Sequence, residues 1–145
     1  MSCTAKSLRQ LDYQASSLAL DYEFIVVDDN SSDGTVPYLE SLSLPIRIVK
    51  TTGDYFWAAS MRLGVSSIGI IDDQDTIIFY NDDVEFYDNA LFRLLTENQN
   101  RRGSVLVGSM VDSNGCISYG GQRSKGKKNR CLYEIVYPDE EDITK

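Results

Sequence analysis

The chain has 145 residues, 42% hydrophobic and 25% charged, with a net charge of −8, which is material for one domain over residues 1–145 and little more. It has no histidine and three separated cysteines, Cys3, Cys116 and Cys131, so histidine-based catalysis is excluded and a disulfide scaffold or cysteine-rich zinc site is disfavoured. No apolar run reaches the roughly eighteen residues of a membrane helix, and MSCTAKSLRQ lacks the basic-then-apolar order of a secretory signal, so a reducing, cytoplasmic setting is expected.

Strand and helix patterns alternate along the chain, which predicts an α/β fold with a mainly parallel sheet. Residues 4–20 fit a helix with Leu8, Leu11, Ala15, Leu18 and Ala19 on one face. Phe24 to Val27 reads as a buried strand that stops at Asp28-Asp29-Asn30, followed by Ser31-Ser32-Asp33-Gly34. A short helix is predicted from Thr35 to Leu42, with Ser32 or Asp33 near its cap, and a strand from Ile46 to Val49. Gly53 introduces a helix of about twelve residues, with Trp57, Met61, Leu63 and Val65 as apolar candidates.

Gly69 to Ile71 fit a loop or a short strand, and Thr76 to Tyr80 a clear strand that ends at Asn81-Asp82-Asp83. A helix is expected from Asp88 to Glu97 and a strand from Val105 to Gly108. Met110 to Tyr119 reads as an antiparallel hairpin around Asn114-Gly115. The basic loop Arg123, Lys125, Lys127, Lys128 and Arg130 precedes a last strand, Leu132 to Tyr137.

The negative charge is concentrated. Residues 1–100 hold sixteen acidic and six basic side chains, residues 101–145 six and eight. Such a field disfavours general binding to nucleic acid phosphates. Two acidic pairs, Asp28-Asp29 and Asp82-Asp83, follow apolar strands directly and would share the carboxyl edge of a parallel sheet, where open α/β sheets place ligands. Two carboxylates 4 Å apart repel by about 4 kcal/mol at an effective dielectric near 20. Mg²⁺ or Mn²⁺ would relieve that repulsion and admit an anionic ligand. Turn and cap roles are the plain alternative for either pair alone. Asp72, Asp73 and Asp75 precede a strand and read as a solvated connection. The basic loop reads as solvated, with a diphosphate, an anionic acceptor or acidic lipid head groups as its functional alternatives.

Three motifs carry a resemblance. Val26-Val27-Asp28-Asp29-Asn30-Ser31-Ser32-Asp33-Gly34-Thr35 resembles the nucleotide-binding signature of the family 2 glycosyltransferases, which have the GT-A fold. Gly53-Asp54-Tyr55-Phe56-Trp57-Ala58-Ala59-Ser60-Met61-Arg62-Leu63-Gly64 resembles the glycine-started helix of the rhamnosyl- and galactofuranosyl-transferase-like branch, with Ala58-Ala59 where Gly-Gly is frequent. Phe79-Tyr80-Asn81-Asp82-Asp83-Val84 resembles the family's variant of the Asp-x-Asp metal motif. The ordered matches cover roughly residues 4–137.

The resemblance implies a polysaccharide-biosynthetic enzyme that takes a UDP- or dTDP-sugar donor and a saccharide or lipid-linked saccharide acceptor, by metal-assisted inverting displacement. It implies nucleotide contacts from Asp28, Asp29, Gly53, Arg62 and Asp82, with Mn²⁺ or Mg²⁺ on Asp83. Trp57 is expected in the core, with a sugar platform as the alternative. Relative to the family, the opening strand and the acceptor half with its general base are expected to be missing. No catalytic residue is therefore assigned, and the reading does not extend to turnover by this chain alone.

Two other classes compete. A noncatalytic nucleotide-binding or oligomerisation module would use an exposed sheet edge for a homo-oligomer. A response-regulator receiver also pairs acidic residues after a strand, but the Lys-Pro expected after a late strand is absent and Asp73 precedes Thr76–Tyr80 instead of closing it. Peripheral contact with the inner face of a membrane would run through the basic loop.

Overall fold

The computed structural model, which describes residues 3–101, 103–124 and 133–135, opens with helix α1 (Cys3–Ser17). Ala5, Leu8, Leu11 and Ala15 are buried along one face, as the apolar spacing predicts. Leu18 and Ala19 fall beyond the helix, because the chain turns left-handed at Ala19, with φ 52°. There the Leu20 amide bonds the Ala15 carbonyl and the Ala19 amide the Ser16 carbonyl, both at 3.1 Å. This is a Schellman ending with alanine where glycine is usual.

Two units divide the chain, Met1–Phe92 and Arg93–Lys145. In the first, strands β1 (Phe24–Asp28) and β2 (Ile46–Lys50) pair in parallel, from Phe24 opposite Ile46 to Asp28 opposite Lys50. Helix α2 (Thr35–Glu40) connects them and buries Val36 and Leu39. Its cap position is Gly34, at φ 83°, so neither Ser32 nor Asp33 occupies it. Asp33 instead accepts the Thr35 amide at 3.0 Å, and hydrogen bonds from the Thr35 hydroxyl first and its amide second hold the carboxyl below the usual range.

Helix α3 (Trp57–Ser67) packs on β1. A Cβ on Gly64 would lie 3.3 Å from Val27 Cγ2, so the missing side chain lets helix and strand approach closely. The result is a small α/β domain built on a parallel two-strand sheet.

Residues 76–80 do not form the expected strand. Their alternation survives: Ile77 and Phe79 are exposed while Ile78 and Tyr80 are half-buried. Alternation specifies which side faces the core, whereas a strand also needs a neighbouring backbone in register. Residues 105–108 form no strand either, and among the described residues the parallel pairing is confined to β1 and β2.

Helix α4 (Ala90–Asn100) begins in the first unit, with Leu91 buried, and runs into the second. The predicted hairpin follows as β3 (Met110–Val111) and β4 (Ile117–Tyr119), antiparallel with a bulge. Gly115 takes φ 80°, and Asp112 accepts the amides of Asn114 and Cys116, each at 2.9 Å. Those bonds draw the Asp112 carboxyl below its ordinary range. Strands β5 (Gln122–Ser124) and β6 (Tyr133–Ile135) pair antiparallel. Most of the predicted basic loop, residues 125–130, lies outside the described residues, as does Cys131; Cys3 and Cys116 are free thiols.

Candidate functional site

The β1 ladder delivers Asp28 and Asp29 to one end of the parallel pair. Asp28 is buried, 7% exposed; its carboxylate accepts the Ser31 amide at 3.2 Å and its carbonyl the Thr51 amide at 2.9 Å. It therefore closes the turn after the strand. Asn30 follows at φ 64°, a conformation asparagine tolerates better than most side chains.

Asp29 reaches across to the segment after β2. Its Oδ1 accepts the Thr51 hydroxyl and the Gly53 amide, the latter at 2.9 Å, and its Oδ2 accepts the Tyr55 amide at 2.9 Å. A carboxylate has about four lone-pair sites, so one on Oδ2 is taken by no donor among the described residues. Gly53 turns at φ 99°, and a Cβ on it would stand 3.5 Å from both Cβ and Nδ2 of Asn30. The first two sequence motifs are thus joined directly, side chain to backbone.

The third motif is tied in through Trp57. Its indole Nε1 donates to Asn81 Oδ1 at 2.7 Å, while the side chain is 59% exposed. The expectation of a core aromatic is corrected: Trp57 opens α3 and stands in solvent beside exposed Phe56. An indole N–H needs a partner, and the asparagine supplies one at the surface.

Helix α1 holds the rest of that motif. The Thr4 hydroxyl donates to Asp82 Oδ2 at 2.9 Å, and the Ser7 hydroxyl lies 3.4 Å from the Asp82 carbonyl. Further along, Gln10 Oε1 accepts the Phe86 amide at 3.0 Å. Gln14 donates to the Tyr87 carbonyl at 2.8 Å and accepts the Leu91 amide at 2.9 Å. Thr4, Ser7 and Gln14 are buried and share the helix face that carries Leu8 and Leu11. A sequence signal for them existed: polar side chains at helical spacing inside an apolar stripe. It shows which residues face inward, not what they meet.

Tyr80 precedes this turn with its ring edge-on to Phe86, centroids 5.2 Å apart. Burial pushes its phenol up to about 12; a hydrogen bond with Ser7 opposes the shift and the charge of Asp82 adds to it. Asp83 is exposed, and no described residue bonds to its carboxylate. Arg62 is exposed midway along α3. Among the described residues no group of three or more acidic, cysteine or histidine side chains is gathered to hold a metal. Asp72, Asp73 and Asp75 form an exposed turn: the Asp72 amide bonds Asp75 Oδ2 at 2.8 Å and the Gln74 amide Asp72 Oδ1 at 3.0 Å.

These parts define an α/β protein whose acidic strand end, glycine turn and second acidic turn lie within one unit. The profile of Glycosyl transferase family 2 matches residues 3–141, nearly the whole chain, and the chain belongs to that family. No curated protein and no solved structure matches it. No helix among the described residues is long and apolar enough to cross a membrane.

Proposed function

We propose that residues 1–145 act as a donor-binding domain for a UDP- or dTDP-sugar, in the rhamnosyl- and galactofuranosyl-transferase-like branch of the family. The observation that carries this reading is the linkage of the three motif segments, through the bonds of Asp29 to Gly53 and of Trp57 to Asn81. Asp29 uses that Oδ2 lone pair for a ring N–H of a pyrimidine base, and Asp28 keeps the strand end in shape. Gly53 lets the backbone pass close to the nucleotide, Asp82 meets the ribose, and Arg62 supplies positive charge for the diphosphate.

Asp83 is the metal ligand in this reading. One carboxylate unengaged among the described residues suits a cation that takes most of its ligands from phosphate and water, which describes Mg²⁺ or Mn²⁺ and not an ion in an all-protein cage. When bound, such an ion neutralises charge that gathers on the departing diphosphate. The acceptor is a saccharide or lipid-linked saccharide, and inverting displacement needs a base that deprotonates its hydroxyl. None of the residues assigned above takes that role.

Calorimetric titration of the chain with UDP and dTDP, with and without Mn²⁺, tests the reading alongside Asp83→Ala. Manganese-enhanced binding that the substitution removes is the expected result. Silence in every titration would overturn the donor site.

A further inference from the structure

The turn at Asn81-Asp82-Asp83 sits in a stretch, residues 69–89, that contains no helix or strand. No ladder holds it in place, unlike the end of β1. Its own backbone adds a single long bond, from the Val84 amide to the Asn81 carbonyl at 3.3 Å. Two of its three side chains are nevertheless fastened, each by a donor from a different helix. Trp57 Nε1 of α3 holds Asn81 at 2.7 Å, and Thr4 Oγ1 of α1 holds Asp82 at 2.9 Å. All three residues are exposed, and the third, Asp83, is engaged by no described residue.

The donors are well chosen for this work. An indole N–H can only donate, so it selects the oxygen of the Asn81 amide and fixes which way that group faces. Thr4 is buried and its hydroxyl donates outward to the carboxylate of exposed Asp82, a charge-assisted arrangement stronger than a neutral pair. We infer that Thr4 and Trp57 are positioning residues: they clamp Asp82 and Asn81 so that the Asp83 carboxylate is presented, already ordered, to a divalent cation carried by a diphosphate. This inference rests on the donor-site reading above. Groups bonded directly to a metal ligand typically change metal affinity by about 10- to 100-fold when removed; Thr4 and Trp57 act through the residues beside Asp83, so the lower end of that range is expected.

The full chain is titrated with UDP with and without Mn²⁺, and the ratio of the two affinities is read for the wild type, Thr4→Val, Thr4→Ser, Trp57→Phe and Asp83→Ala. Thr4→Val and Trp57→Phe are each expected to cut the manganese-dependent gain by about tenfold, and Thr4→Ser to restore it. Hydrogen–deuterium exchange of the ligand-free proteins supplies a readout independent of binding. Val and Phe variants should exchange faster across residues 81–87 and unchanged across 24–30. An undiminished manganese gain in Thr4→Val and Trp57→Phe, or unaltered exchange at 81–87, removes the positioning role while the donor site stands. A wild type that binds UDP without any manganese gain, or a gain that survives Asp83→Ala, overturns Asp83 as the metal ligand and this inference with it, whereas no UDP binding at all overturns the donor site itself.

Discussion

The end of β1 and the turn at 81–83 look alike in sequence, each an apolar run closed by adjacent aspartates, yet the molecule holds them by different means. Asp29 is gripped by two backbone amides and a hydroxyl of the segment after β2, and Asp28 is buried. Asp82 depends on side chains of α1, Asn81 on a side chain of α3, and Asp83 on nothing described. A carboxylate that organises backbone is part of the fold. One that hangs on side chains can be retuned, or left free, without disturbing it.

The contrast is open to attack from several sides. Asp29→Ala returns the exposed Gly53 and Tyr55 amides to water, and losing these charge-assisted bonds should cost about 2 kcal/mol in urea unfolding. A change below about 0.5 kcal/mol there would erase the distinction between the two pairs. Tyr80, next to the second pair, gives a pH signature. Its folded-state value lies above the unfolded one, so its contribution is whole below pH 10 and is lost as pH rises through 12. Unfolding curves across that window should show about 2 kcal/mol of lost stability, absent in Tyr80→Phe.

Smaller effects sharpen the picture. Gly53→Ala forces a side chain to φ 99° and should cost about 1 kcal/mol, seen as a lowered Tm. Asp83→Ala should move the same Tm least, by the equivalent of under about 0.5 kcal/mol, because no described contact is lost. A large loss of stability in Asp83→Ala would mean that the second turn is as structural as the first.

Much of the local order could be read from residues near one another. The apolar spacing of Leu8, Leu11 and Ala15 marks α1, Ile25-Val26-Val27 marks β1, and Asn114-Gly115 marks the hairpin. The two acidic pairs and Gly53 were equally visible, and with their order came the family that the profile matches over residues 3–141. The readings that failed concern surroundings. Trp57 has the size and polarity of a core residue but stands exposed, because its burial depends on what approaches the first turn of α3. Residues 76–80 keep their alternation without a ladder, since pairing belongs to two segments and not to one.

By itself, then, the sequence determined the helices, the β1–β2 unit, the acidic strand end and the family, all of which rest on short-range patterns of polarity and spacing. Tertiary structure alone decided that Thr4, Ser7, Gln10 and Gln14 meet residues 82–91, across separations of 73 to 78 positions. It also decided that one carboxylate of four, Asp83, stays unengaged among the described residues. A polar side chain inside an apolar stripe must find a partner when buried, but only the path of the whole chain selects which one.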